Sequence, residues 1–216
     1  GLIATFIVVP LIRRLNCQAT HAAAIFNFLG AAGIAFAATF SDSLLHYMIG
    51  LGFGFFILML SLPVLTQIYQ GNLPESKRGK IVATASIFRG LIGIAFAWKA
   101  GEWIDSDINN FKPLLWVFAI AALLNGLAMW VMPKVKTAKG STNPFSAFKW
   151  LKKDKQFRTL IISWMLMGLG NLTALKIWTE YFANSDYGNG FSAFQVTLLT
   201  FIIPQAVKIA FTYTWG

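Results

Sequence analysis

Apolar runs long enough, or nearly long enough, to cross a lipid bilayer recur seven times along this sequence. A hydrocarbon core of about 30 Å needs about 20 predominantly apolar residues in a helix. The runs are A (1–12), B (20–40), C (44–69), D (81–104), E (113–133), F (159–182) and G (191–214). Only 12% of the 216 residues are charged, against roughly 25% in a soluble domain. Mean hydropathy is +0.62. Backbone polar groups inside a bilayer must be satisfied internally, and helices of this length do that. The expected fold class is therefore all-α, a polytopic bundle of transmembrane helices. Run A is short and opens on Gly1 with no basic stretch before it, so it reads as a truncated span rather than a signal peptide. Run G ends abruptly at Thr214-Trp215-Gly216. Both ends are expected to be cuts through a longer chain.

Charge orients the runs. Loops A–B, C–D and E–F carry Arg13, Arg14, Lys77, Arg78, Lys80, Lys134, Lys136, Lys139, Lys149, Lys152, Lys153, Lys155 and Arg158 against Glu75 and Asp154. The alternate loops carry only Lys112 against Asp42, Asp105, Asp107 and Asp186. Basic residues gather on the cytoplasmic side of a membrane protein, so the first set is assigned there. Trp98, Trp103, Trp116 and Trp178 then fall at the outer boundary and Trp130 and Trp215 at the inner one, the pattern of an interfacial aromatic belt. In loop E–F, Phe145, Phe148 and Leu151 recur at helical spacing among lysines. That reads either as a short basic helix lying on the cytoplasmic leaflet or as a solvated linker. The formal net charge of +10 is thus a membrane signature. A nucleic-acid surface would instead gather its cations on one folded polar face.

Polar residues inside the runs are unevenly shared. Runs B and E hold one amide each, Asn27 and Asn125. Run D holds Arg89, Lys99 and Glu102; F holds Asn171, Thr173, Lys176 and Glu180; G holds Gln205 and Lys208. A charge at the bilayer centre costs about 2.5–3.5 kcal/mol on the lenient insertion scale. Runs B and E are therefore expected to face lipid, and D, F and G a watery cavity. Lys99 with Glu102 and Lys176 with Glu180 stand at helical i,i+3 and i,i+4 spacings near the outer edge, where local ion pairs are expected. Arg89 lies about 12 Å past the start of D at 1.5 Å per residue, too deep to reach the interface. It either binds an anionic group of a solute (a carboxylate, phosphate or sulfate) or pairs with an acid or carbonyls of a neighbouring helix. Lys208 lies in the inner third of G and either snorkels or faces the cavity.

Enzyme chemistry finds no support. His21 and His46 fall at opposite ends of their spans, and no zinc, phosphate-loop or nucleophile motif occurs. The lone Cys17 excludes an internal disulfide. No catalytic residue, metal or cofactor is expected. Gly50 and Gly54 form a G-x-x-x-G pair that permits close helix approach. Pro63 and Pro204 can kink their helices.

Several segments together resemble the major facilitator superfamily from its second to its eighth helix. Pro74-Glu75-Ser76-Lys77-Arg78-Gly79 is similar to that family's P-x-x-x-R-G loop after the fourth helix. His46-Tyr-Met-Ile-Gly50 resembles the R-x-x-Q-G start of that helix, with His46 for Arg and Ile49 for Gln. Val9-Pro-Leu-Ile-Arg-Arg14 matches the motif after the second helix at Arg14, whereas Arg13 stands where the family has Asp. Trp215-Gly216 resembles the start of the corresponding motif after the eighth helix.

The resemblance implies three parts: 1–133 as part of an N-terminal six-helix bundle, 134–158 as a cytoplasmic linker, and 159–216 as the first two helices of a C-terminal bundle. It further implies a secondary transporter of a small organic solute, with a coupling ion, in the lipid bilayer of a bacterial inner membrane. The missing remainder of the chain would complete the site. Arg89, Asn171, Thr173, Gln205 and Lys208 are the expected cavity or binding residues. Arg13, Arg14, Pro74, Arg78 and Gly79 are the expected cytoplasmic gating residues. A transporter-like subunit of a larger complex is the next reading, and an integral-membrane enzyme the last.

Overall fold

The computed structural model describes residues 8, 12, 14, 17–135, 148–187 and 190–215. Run A, apart from Val8 and Ile12, lies outside the described residues, as do Arg13, Lys136, Lys139 and Phe145. Among the described residues every element is helical: α1 Ala19–Thr39, α2 Leu44–Leu60, α3 Leu62–Asn72, α4 Glu75–Ser106, α5 Phe111–Val131, α6 Phe148–Lys153, α7 Lys155–Ala183, α8 Ala193–Thr197 and α9 Ile203–Trp215. Six segments among them are long and apolar enough to cross a membrane: Ala19–Thr39, Leu44–Asn72, Glu75–Ser106, Ile108–Val131, Lys155–Ala183 and Ala193–Thr212. The chain is an integral membrane protein built of helices.

Helix limits follow local chemistry. Run C breaks into α2 and α3 at Ser61 because Pro63 has no N–H and its ring collides with the carbonyl four residues back. Ser61 mends the break: its N–H donates to the Leu58 carbonyl at 3.1 Å, and its Oγ donates to the same carbonyl at 2.7 Å. Helix α4 begins six residues earlier than run D, so most of the expected C–D loop is helical. Pro74 precedes its first turn, Glu75 stands in that turn, where the helix dipole favours an acid, and Lys77, Arg78 and Lys80 are good helix formers. Helix α7 likewise starts at Lys155, because the Asp154 carboxylate accepts the Phe157 N–H at 3.0 Å and caps it. Of the expected basic helix in loop E–F, the described part is α6.

The chain packs as two units, residues 1–78 with 111–147 and residues 79–110 with 148–216. Helix α4, which the sequence reading groups with the N-terminal helices, lies in the second unit beyond Arg78.

In the first unit α1 is central, packed on α2, α3 and α5. This corrects the expectation that run B faces lipid: 56% of its crossing stretch is buried, against 0% for α7. The reason is size. Ala22, Ala23, Ala24, Gly30, Ala31, Gly33 and Ala37 are buried and leave room for neighbouring backbones; hydropathy registers that a residue is apolar, not that it is small. A methyl group placed on Gly33 would lie 2.8 Å from the Gly54 Cα, and one on Gly50 would lie 2.8 Å from the Ala37 nitrogen. The G-x-x-x-G pair of α2 therefore meets α1 backbone to backbone, as its spacing predicts.

Gly126 of α5 admits the ring of Phe28 in the same way. Across this contact Asn125 Nδ2 donates to Asn27 Oδ1 at 2.8 Å, and Asn27 Nδ2 donates to the Ala23 carbonyl at 2.8 Å. At one end of the unit Val8, Ile12, Ala19, Ala22, Ala23, Val64 and Ile68 form the core, with Cys17 and Val135 against it. Cys17 is thus partly buried. There the Val135 carbonyl accepts the Ala19 N–H at 2.9 Å, satisfying a free donor at the start of α1.

Candidate functional site

Within the second unit, α4 carries small residues at Gly90, Gly93, Ala97 and Gly101, spacings of three, four and four that align on one helical face. The C-terminal helices lie along it in the opposite direction. A methyl group on Gly101 would sit 3.0 Å from the Phe194 Cα. One on Gly93 would touch the Phe201 ring at 3.6 Å. One on Gly90 would meet Ile209 Cδ1 at 2.7 Å and Gln205 Nε2 at 2.9 Å. Trp98 closes edge-on over Phe194, with ring centroids 5.0 Å apart.

The end of this seam at Gly101 and Phe194 is fixed by polar contacts. Ser192 and Gln195 form a reciprocal cap at the start of α8, and Asp105 Oδ2 accepts the Phe194 N–H at 3.2 Å. Glu102 accepts from Trp98 Nε1 at 2.7 Å and from Lys99 Nζ at 2.8 Å, the ion pair expected from the sequence. Lys99, Glu102 and Trp103 line a shallow cleft there. Further in, α8 passes through a π-helical stretch, Leu198–Ile202, before α9. Pro204 explains the irregularity: it leaves the Thr200 carbonyl without its helical donor and its ring pushes that carbonyl aside. The widened turn includes Phe201 and ends three residues before Gln205, where the seam changes from apolar to polar.

Gln205 stands at this change, packed on Gly90, and Arg89 is the residue before that contact. Arg89, near the middle of α4, is exposed, and its described hydrogen bond is a long one to Ser86 Oγ at 3.4 Å. Gln205 is half-buried against Gly90, the residue next to Arg89. Lys208 is exposed on α9 and lies between the two residues, Gln205 and Ile209, that meet Gly90. The remaining expected binding residues stand apart: Asn171 is exposed on α7, and Thr173 gives its hydroxyl to the Leu169 carbonyl at 3.0 Å.

Of the expected gating residues, Arg13 is outside the described residues and Arg14 is exposed. Pro74 ends the short link before α4. Arg78 donates from one guanidinium nitrogen to the carbonyls of Gln70 and Leu73, both at 3.2 Å. It therefore caps the end of α3, whose last carbonyls have no helical partner. Gly79 has open space where a side chain would stand.

The Asn27–Asn125 bridge was not anticipated, although two otherwise apolar spans with a single amide each carried its signal. The small-residue face of α4 was equally readable from its spacing. Among the described residues no three His, Cys, Asp or Glu side chains gather as a metal site. The chain matches no protein-family model, no curated protein and no solved structure.

Proposed function

We propose that this chain is part of a secondary transporter, similar to the major facilitator superfamily, that moves a small organic solute through a bacterial inner membrane by alternating access, coupled to an ion. The observation that carries the reading is the polar break in the α4–α9 seam: Arg89, Gln205 and Lys208 share one level deep within membrane-crossing helices. Ionisable side chains at that depth are costly and mark a solute or ion path, and transporters place such sites near the midplane between helices. Asn171 and Thr173 on α7 are carried as further residues of the path. The basic linker at 134–158 joins the two halves on the cytoplasmic side.

The test is counterflow of labelled solutes into liposomes reconstituted with the full-length protein, with and without an imposed proton or sodium gradient. Solute accumulation that collapses on Gln205→Leu supports transport. A second reading, a membrane subunit without transport, is favoured by α7, in whose crossing stretch none of the described residues is buried. Stoichiometric co-purification of another protein, with no counterflow, would establish that reading instead.

A further inference from the structure

We propose that the solute is a small organic anion with at least two negative charges, such as a dicarboxylate or a phosphate ester, held between Arg89 on α4 and Lys208 on α9 with Gln205 as its neutral hydrogen-bonding group. This rests on the transport reading above and adds the chemistry of the ligand.

Three observations lead to it. The first is coincidence of level. Gly90 meets both Gln205 and Ile209, so Arg89, one residue before Gly90, and Lys208, one residue before Ile209, share one depth on facing helices. The second is the lack of a counter-charge at that depth. The two salt bridges of the described residues are Lys99–Glu102 and Lys112–Asp42, and neither includes Arg89 or Lys208. The nearest acid along α4, Glu102, is thirteen residues on, about 20 Å along the axis, and is already taken by Lys99 and Trp98. Asp105 beyond it holds the Phe194 N–H. The third is unused donor capacity. Arg89 offers a planar fork of five N–H groups and spends one of them on a 3.4 Å contact, while Gln205, half-buried beside Gly90, brings a neutral amide to the same level.

Two like charges at one level of a bilayer repel each other and lose hydration together. One ligand carrying two negative charges answers both costs. A guanidinium fork matches a carboxylate or phosphate in two parallel hydrogen bonds, and an ammonium supplies a compact second charge. Glycine at position 90 sets this shared level: any side chain there would collide with Gln205 or Ile209 and push the two helices apart.

The test uses the full-length protein in lipid nanodiscs, with thermal unfolding followed in succinate, inorganic phosphate or glucose 6-phosphate. Controls are sodium chloride at equal ionic strength and glucose. At least one divalent probe should raise Tm by several degrees above chloride, and calorimetry should give a Kd that weakens tenfold or more in Arg89→Gln and in Lys208→Gln. Arg89→Lys should fall between, and Lys99→Gln should bind as wild type does. If Arg89→Gln does not fold, Lys208→Gln, at an exposed position, decides alone.

No stabilisation by any divalent probe, stabilisation by glucose instead, or an anion shift unchanged in Lys208→Gln would overturn the proposal. Counterflow separates the two claims. Anion binding without flux keeps the site and removes transport; flux of a neutral solute that Arg89→Gln leaves intact keeps transport and removes the anion site.

Discussion

At the scale of single residues, the membrane interior rewards small side chains and paired amides, and both can be tested. Asn125→Ala removes the donor that Asn27 Oδ1 uses, and interhelical hydrogen bonds of this kind are worth about 0.6 kcal/mol on average and up to about 1.7. Denaturation of the reconstituted protein in SDS should show a loss in that range. The double change Asn27→Leu with Asn125→Leu should cost less than the sum of the single changes, because it leaves no amide without its partner. A milder single than double variant in excess of additivity would rule the bridge out. The glycines of α2 make a sharper contrast. Gly54→Val would press on the Ile34 nitrogen at 3.0 Å, whereas Gly52 has nothing within 4 Å. Gly54→Val should destabilise by about 1–3 kcal/mol or more through overpacking, while Gly52→Ala should be neutral or stabilising in the same denaturation assay. Sequence alone separated Gly50 and Gly54, four residues apart on one helical face, from Gly52; which helix they meet is decided by the fold.

At the scale of elements, the crossing runs were legible because twenty apolar residues in succession have few other uses in a folded chain. Their ends were less so. Helices α4 and α7 continue past the hydrocarbon into charged sequence, where Pro74 with Glu75 and the Asp154 cap start them earlier than hydropathy does. Arg78 was legible as a motif residue, but its hydrogen bonds to Gln70 and Leu73 depend on how α3 ends, at the extended Leu73 just before Pro74. Arg89, Gln205 and Lys208 were each visible as polar residues in apolar runs; their shared level was not, since it is set by the pairing of Gly90 with the last helix. That pairing predicts a cross-link. With Cys17→Ser as background, Gly101→Cys and Phe194→Cys should place their Cβ atoms near the 3.4 Å separation found between a methyl group at 101 and Phe194 Cβ, close to disulfide spacing. Mild oxidation should join them, detected as a single band after cleavage at a protease site inserted within residues 136–147. Two fragments under those conditions would contradict the α4–α8 register.

At the scale of the whole molecule, orientation follows from charge. Cysteines placed at Ser141 and Asn109 in the same background should react with an impermeant maleimide from opposite faces, Asn109 in intact cells and Ser141 after lysis. Labelling of both in intact cells would reverse or break the assigned topology. Hydropathy placed the chain in the membrane, yet it erred about α1 because it treats Ala and Gly as weak versions of Leu rather than as the residues that let backbones touch. That contact has a mechanical meaning. Where α1 and α2 meet through Gly33, Gly50 and Gly54, no layer of side chains lies between the two backbones to be compressed or to change rotamer. Such a joint has almost no play: α1 and α2 can be displaced together, but sliding one past the other would drive atoms already at contact distance into overlap. Any bending of this pair must be taken up where the packing is looser, and the break at Ser61, with its single mended carbonyl, is the compliant point nearest to it.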